Sequence, residues 1–339
     1  MNFSIPSVGR LVVGFVLGLS VVGTAMANQS LTAEGWYERM LQEAPKAQYQ
    51  GIFTHQSGGQ SQSVEIVHGM KEGLVWERLL HLDGPAREVI RKGEQLYCIH
   101  PDARVEQIAQ PTNGPFAAES MASTQQLQQG YEFLLHGPKR IAGRPAVLVQ
   151  LKPKDELRHH YLVWLDQQTS VALKSELVNQ RGQVLERYQF NYFAPYEQWN
   201  DNLFSPRRQG VELETTPAQD VDADATVADA QGAVESLQAA PVQNWKLNWL
   251  PAGFMQKDSA QAAQANAHDA RRMFSDGIVM FSVYVEPAHE DKQDGVAQVG
   301  ATVLAVQHKQ WQGLEHRITV VGEIPEQTAK RIAQSVELM

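Results

Sequence analysis

Between Tyr49 and Ile108 the chain is a series of short runs rich in β-branched, aromatic and aliphatic residues, and no break between them can hold a helix. The runs are Tyr49–Gln56, Ser63–His68, Leu74–Leu82, Ala86–Arg91, Gln95–His100 and Arg104–Ile108. The breaks are Ser57-Gly58-Gly59, Gly69, Asp83-Gly84-Pro85, Gly93 and Pro101-Asp102. A parallel pair needs a crossover of a dozen or more residues, so these strands can only pair antiparallel, as a meander. Longer runs follow at Pro145–Lys152, His159–Asp166, Ser170–Val178 and Gln183–Phe193. His159–Leu165 is apolar on both parities, which predicts a strand covered on both faces. Two helices are expected beside the sheet. Thr32–Ala44 has helical spacing, with Thr32 as N-cap and Pro45 as terminator. The Ser/Gln/Leu-rich stretch Ser120–Leu135 is expected to be stopped by Gly137-Pro138. The fold class is therefore α+β: a large, curved antiparallel sheet with helices on one side. A partly open concave face on such a sheet suits an apolar ligand.

Two segments are expected to lie outside the sheet. Arg10, the apolar run Leu11–Val22 and Ala25-Met26-Ala27 have the order of a secretory signal, predicting residues 1–27 as a cleaved leader. The run is shorter than the roughly 20 residues that span a bilayer, so no transmembrane segment is expected after cleavage. Residues 215–243 hold Asp220, Asp222, Asp224, Asp229 and Glu235 without a Lys, Arg or aromatic residue, within a chain of net charge −9. A segment with so little apolar surface reads as a self-repelling linker. It divides a first domain (28–214) from a second (244–339). The second domain opens with Trp245, Trp249, Leu250 and Phe254. It continues through strands at Ile278–Val285, Val299–Gln307 and Leu314–Val321 and ends on a helix from Pro325, making a small α+β domain.

The chemistry-bearing motifs are largely absent. There is no nucleophile elbow, Walker loop or dinucleotide fingerprint. His289-Glu290 starts like a zincin helix, but Gln293 stands where the second histidine belongs. His159-His160 would point to opposite faces of a strand. Asp220, Asp222 and Asp224 match a calcium loop until Ala225 and Gln231 replace its glycine and glutamate. Cys98, the single cysteine, excludes an intramolecular disulfide and reads as a buried thiol. Neither an enzyme nor a cofactor is expected. With 29 Lys and Arg against 38 Asp and Glu, no nucleic-acid partner is expected either.

Several stretches stand out as longer motifs. In the first domain these are Leu82-Asp83-Gly84-Pro85-Ala86-Arg87-Glu88-Val89-Ile90-Arg91 and Cys98-Ile99-His100-Pro101-Asp102. In the second they are Trp249-Leu250-Pro251-Ala252-Gly253-Phe254, Phe274-Ser275-Asp276-Gly277-Ile278 running into Phe281–Pro287, Val320–Pro325, and Ile332–Val336. Together they resemble the RseB/MucB family of periplasmic regulators of envelope-stress sigma factors. The resemblance implies a first domain like the half-barrel lipoprotein carriers LolA and LppX. It implies a Gram-negative periplasmic protein that binds the periplasmic domain of a membrane anti-sigma factor (RseA or MucA) and shields it from the DegS/AlgW protease. Lipopolysaccharide or another acyl lipid would release it. A lipid or lipoprotein carrier is the alternative, disfavoured because a carrier needs only the first domain; a homo-oligomer is left open.

Candidate residues follow from this resemblance and from the local patterns. Arg271, Arg272, Met273, Phe274 and Asp276 set cations beside apolar groups around a turn, as a protein interface does, and are expected to meet the partner. Leu74, Trp76 and Leu80 share one strand parity, expected on the concave side. With Trp164 they are expected to meet acyl chains.

Overall fold

A computed structural model describes residues 31–108, 121–208, 210–211, 213, 245–257, 271–288 and 293–339. The expected leader (1–27) and the whole of the expected linker (215–243) lie outside the described residues. So do the Asp220–Asp224 triplet and His289-Glu290. The helix expected from Thr32 is α1 (Ala33–Glu43), followed by a 3-10 turn, Ala44–Lys46, that contains Pro45. Thr32 caps α1, its hydroxyl oxygen accepting from the Gly35 N–H at 3.1 Å. Thr32→Ala is expected to lower stability by about 1 kcal/mol, measured by denaturant titration. An unchanged midpoint would mean that the burial of Tyr37 and Met40 alone sets where α1 starts.

The large sheet is built from β1 (Tyr49–Ser57), β2 (Gln60–Lys71), β3 (Leu74–His81), β4 (Glu88–Lys92), β5 (Gln95–Ile99) and β6 (Val105–Ile108). After α2 (Thr124–Leu127) come β7 (Tyr131–Ile141), β8 (Arg144–Pro153), β9 (His160–Asp166), β10 (Ala172–Val178) and β11 (Val184–Pro195). The order is β6-β5-β4-β3-β2-β1-β11-β10-β9-β8-β7, antiparallel throughout. Two consecutive meanders thus meet where the first strand pairs with the last. The helix expected over Ser120–Leu135 is corrected. Among the described residues of that stretch only α2 is helical, and β7 starts at Tyr131 and runs on through Gly137-Pro138. Proline is tolerated there because β7 is an edge strand and its register slips between His136 and Pro138, so no ladder bond is lost.

Directly paired residues share a face, so the register assigns both sides of the sheet. Tyr49, Phe53, Val64, Ile66, Phe133, Val149, Val163 and Phe190 point to the side that α1 covers, with Tyr37 edge-on to Phe133 at 5.4 Å. Val163 and Trp164 are buried on opposite faces of β9, as its two apolar parities require.

The second sheet holds β13 (Met255–Lys257), β14 (Arg271–Ser275), β15 (Met280–Pro287), β16 (Gly295–Val299), β17 (Thr302–Trp311) and β18 (Leu314–Gly322), in the order β13-β14-β15-β18-β17-β16. β12 (Trp245–Leu247) pairs with β19 (Val336–Leu338), which follows α3 (Glu326–Ser335). The single strand expected over Val299–Gln307 is also corrected. Gly300, at φ +58°, turns the chain between β16 and β17, and those strands pair as a hairpin. α3 buries Ala329, Ile332 and Ala333 against Val303, Ile318 and Val320.

Candidate functional site at the seam between the sheets

From Thr32 to Met339 the described chain is one compact unit, and the seam within it is built around the Ser275-Asp276-Gly277 turn that joins β14 to β15. The turn is folded by its own side chains. Ser275 Oγ accepts from the Gly277 N–H (2.9 Å) and donates to the Val279 carbonyl (2.9 Å). Asp276 Oδ1 accepts the N–H groups of Ile278 and Val279 at 3.0 and 3.1 Å, an Asx turn. These bonds aim the other oxygen, Oδ2, at the large sheet. Arg158 Nη1 donates to it at 3.2 Å, and Tyr131 OH at 3.0 Å.

Arg158 is fully buried, and its donors are shared across the seam. It pairs with both oxygens of Asp155 (each 3.1 Å), donates to the Ala252 carbonyl (2.7 Å), and lies 5.3 Å from the ring centres of both Tyr131 and Phe254. A buried guanidinium is tolerable only with such pairing. Gly130 makes the space, since a Cβ there would overlap the guanidinium. Burial, reinforced by the Asp276 carboxylate, pushes the Tyr131 phenol well above its ordinary value and keeps it a proton donor. The seam is further closed by Ala122 N–H donating to the Gly277 carbonyl (3.0 Å). At the start of α3, Thr328 and Gln327 donate to the Leu157 and Glu156 carbonyls, each at 3.0 Å.

Beside this latch a cavity of about 160 Å³ separates β9–β11 from the second sheet, with Tyr161, Ser175, Glu186 and Tyr188 on one side and Ile278 and Glu323 among the residues on the other. Burial, and secondarily the charge of Glu186, pushes the Glu323 carboxyl up to about 7.

The five residues expected at the partner surface do not form one patch. Arg271 is exposed, while the Arg272 guanidinium stacks 4.1 Å above the buried Trp245. Met273 is partly buried, Phe274 is in the core 5.1 Å from Phe281, and Asp276 is in the latch. The lipid candidates are also separated. Leu74, Trp76 and Leu80 lie on the face opposite Ile66 and Leu79, and the register puts Trp164 on that same face. β3 and β9 are five strand spacings apart, about 24 Å. Trp76 sits edge-on to Trp199 and to the buried Phe204 (5.7 and 5.8 Å), with Lys71 and Lys92 ammonium groups 5.0 and 5.3 Å from its ring. Leu74 is exposed, Leu80 is partly buried, and Trp164 carries Lys174 at 4.3 Å.

Arg158, Tyr131, Glu186 and Glu323 were not singled out in the sequence. The one local hint is Asp155-x-x-Arg158 placed just before an apolar strand. The histidines of the 159–160 pair diverge: buried His159 has its ring pushed down to about 4 by burial, while His160 contacts Gln150 and Gln180. Cys98 is a buried free thiol. Among the described residues no cluster of three metal-ligating side chains occurs, and no helix is long and apolar enough to cross a membrane.

Comparisons with known proteins cover both sheets. Residues 32–207 match the family model of the MucB/RseB N-terminal domain, and residues 239–337 that of the MucB/RseB C-terminal domain. The chain is 32% identical over 329 residues to the sigma factor AlgU regulatory protein MucB of Pseudomonas aeruginosa, covering 94% of this chain and 96% of that protein. It is 26% identical over 289 residues to the sigma-E factor regulatory protein RseB of Escherichia coli K12, covering 81% of each. Its fold matches a structure of the Pseudomonas aeruginosa MucA/MucB complex with a TM-score of 0.67 and 29% identity, over 90% of this chain and 98% of that one. Matched through both of its sheets and along nearly its whole length, the chain belongs to the MucB/RseB family.

Proposed function

We propose that this protein is a periplasmic regulator that binds the periplasmic segment of a membrane anti-sigma factor and shields that segment from its site-1 protease. An acyl lipid such as lipopolysaccharide releases it. The observation that carries this reading is the match, across both sheets, to a MucB solved together with MucA. In this reading residues 1–27 are a cleaved export signal, 28–214 a lipid-sensing domain, 215–243 a tether and 244–339 a second domain. The exposed Arg271 on β14 belongs to the partner surface, with Met273 beside it on the same face. The face holding Leu74, Trp76, Leu80 and Trp164 meets lipid. Lipid displaces the partner only if it binds the partner-free state more tightly, and a coupling of about 1–3 kcal/mol weakens partner affinity roughly 5–150-fold.

The test is cleavage of the anti-sigma periplasmic domain by its site-1 protease, with the regulator alone and with regulator plus lipopolysaccharide. Cleavage is expected to slow and then recover. Arg271→Glu is expected to weaken binding by more than about 1 kcal/mol by calorimetry, with unchanged circular dichroism. Cleavage at full rate in the presence of saturating regulator would overturn the reading. Unchanged affinity would remove Arg271 from the interface.

A further inference from the structure

The latch leaves unused a second set of polar groups in the seam. Glu186 comes from β11 of the large sheet and Glu323 from the loop between β18 and α3, yet both line one cavity of about 160 Å³. Among the described residues no lysine or arginine lines it. The titratable groups that face the pair are His55 on β1, Tyr161 on β9 and Tyr188 on β11. His55 Nε2 lies 2.8 Å from Glu186 Oε1, and Tyr188 OH donates to the same oxygen at 3.3 Å. The His55 ring is stacked on Tyr188 at 4.2 Å.

We propose that Glu323 and Glu186 make the docking of the two sheets depend on pH, the seam being tight while the pair holds a proton and loosened once both carboxylates are charged. Burial disfavours the charged form of Glu323, and a second carboxylate lining the same cavity from the other side of the seam disfavours it further, so ionising both works against the closed seam. The hydroxyls cannot supply the missing charge. Burial, together with these same carboxylates, pushes Tyr161 up to about 12 and Tyr188 higher still. His55 offsets Glu186 only when protonated.

The sign follows from linkage. Docked, Glu323 holds its proton up to about 7, whereas its ordinary value is 4.5, so between these limits the docked seam binds the extra proton. Docking therefore weakens as pH rises through this window, and it levels off above about 7. At tenfold per unit over a window from 4.5 to about 7, the docked-to-loosened ratio falls by at most about 300-fold. This device is independent of what the protein binds.

Spin labels on Q60C and Q298C, exposed positions that border the opposite walls of a groove at the same seam, report it in the full chain. Between pH 5 and 8 the fraction of long distances is expected to rise at least tenfold. In Glu323→Gln it is expected to stay at its low-pH value throughout. Should that variant misfold, Glu186→Gln removes the repulsion but not the burial of Glu323, and is expected to reduce the response without abolishing it. His55→Gln is expected to leave a response centred near neutrality. A distance distribution independent of pH in the unsubstituted pair, a full response in a folded Glu323→Gln or Glu186→Gln, or its loss in His55→Gln would each overturn the proposal.

Discussion

Asp276→Ala is expected to destabilise the folded chain by about 3–5 kcal/mol, the range for removing one partner of a buried ion pair. The substitution strips Arg158 Nη1 and Tyr131 OH of their shared acceptor and frees the Ile278 and Val279 N–H groups that close the turn. Arg158 keeps Asp155 and the Ala252 carbonyl, but it stays fully buried with one charge fewer beside it. Urea titration followed by tryptophan fluorescence measures the loss. Because the latch joins the two sheets, the transition should also split, the second sheet unfolding at lower urea than the first. The matched control is Arg158→Met with Asp276→Leu. Replacing both partners by apolar groups leaves no orphaned charge, so the double variant is expected to be more stable than Asp276→Ala. A loss below about 1 kcal/mol for Asp276→Ala, with a single transition, would show that the latch contributes little to docking.

Gly277→Ala is expected to lose about 3 kcal/mol or more for two separable reasons. The residue sits at φ +99°, where a side chain is strained by roughly 1–3 kcal/mol. A Cβ would also overlap that of Ala122 and lie 3.2 Å from its Cα, on the far side of the seam, where overpacking typically costs about 1–3 kcal/mol. Adding Ala122→Gly removes the collision but not the strain. The double variant should therefore recover part of the loss, and denaturation midpoints of the three proteins give the partition. Full recovery would place the whole effect in packing across the seam. No recovery would place it in the backbone.

Much of the large sheet was legible because its signals are local. The alternating runs, the turn signals and the absence of room for crossovers set an antiparallel meander, and the observed strands β1 to β6 fall on the six expected runs. The break expected at Gly69 is corrected, since β2 runs through it to Lys71 and the chain turns at Glu72-Gly73. The errors came where tertiary position overrides local preference. The polar stretch ahead of Pro138 reads as helix followed by a stop, but an edge strand with a bulge accommodates the proline. Gly300 is a turn that the apolar flanks Val299 and Ala301 disguised. The Phe274–Ile278 signature predicts a surface turn. Its carboxylate instead faces inward, held there by bonds within the turn.

The sequence by itself determined the strand runs, the first and last helices and, through its motifs, the family. Each of these is carried by neighbours a few residues apart, whose spacing and backbone preferences act before any long-range contact forms. Only the tertiary structure decided that β1 closes against β11. It alone brought Arg158 to Asp276 across 118 positions and set Glu186 and Glu323 around one cavity. Such pairs leave no periodicity to read. They exist because packing two sheets together buries whatever charges lie at the seam, and a buried charge must then find its partner there.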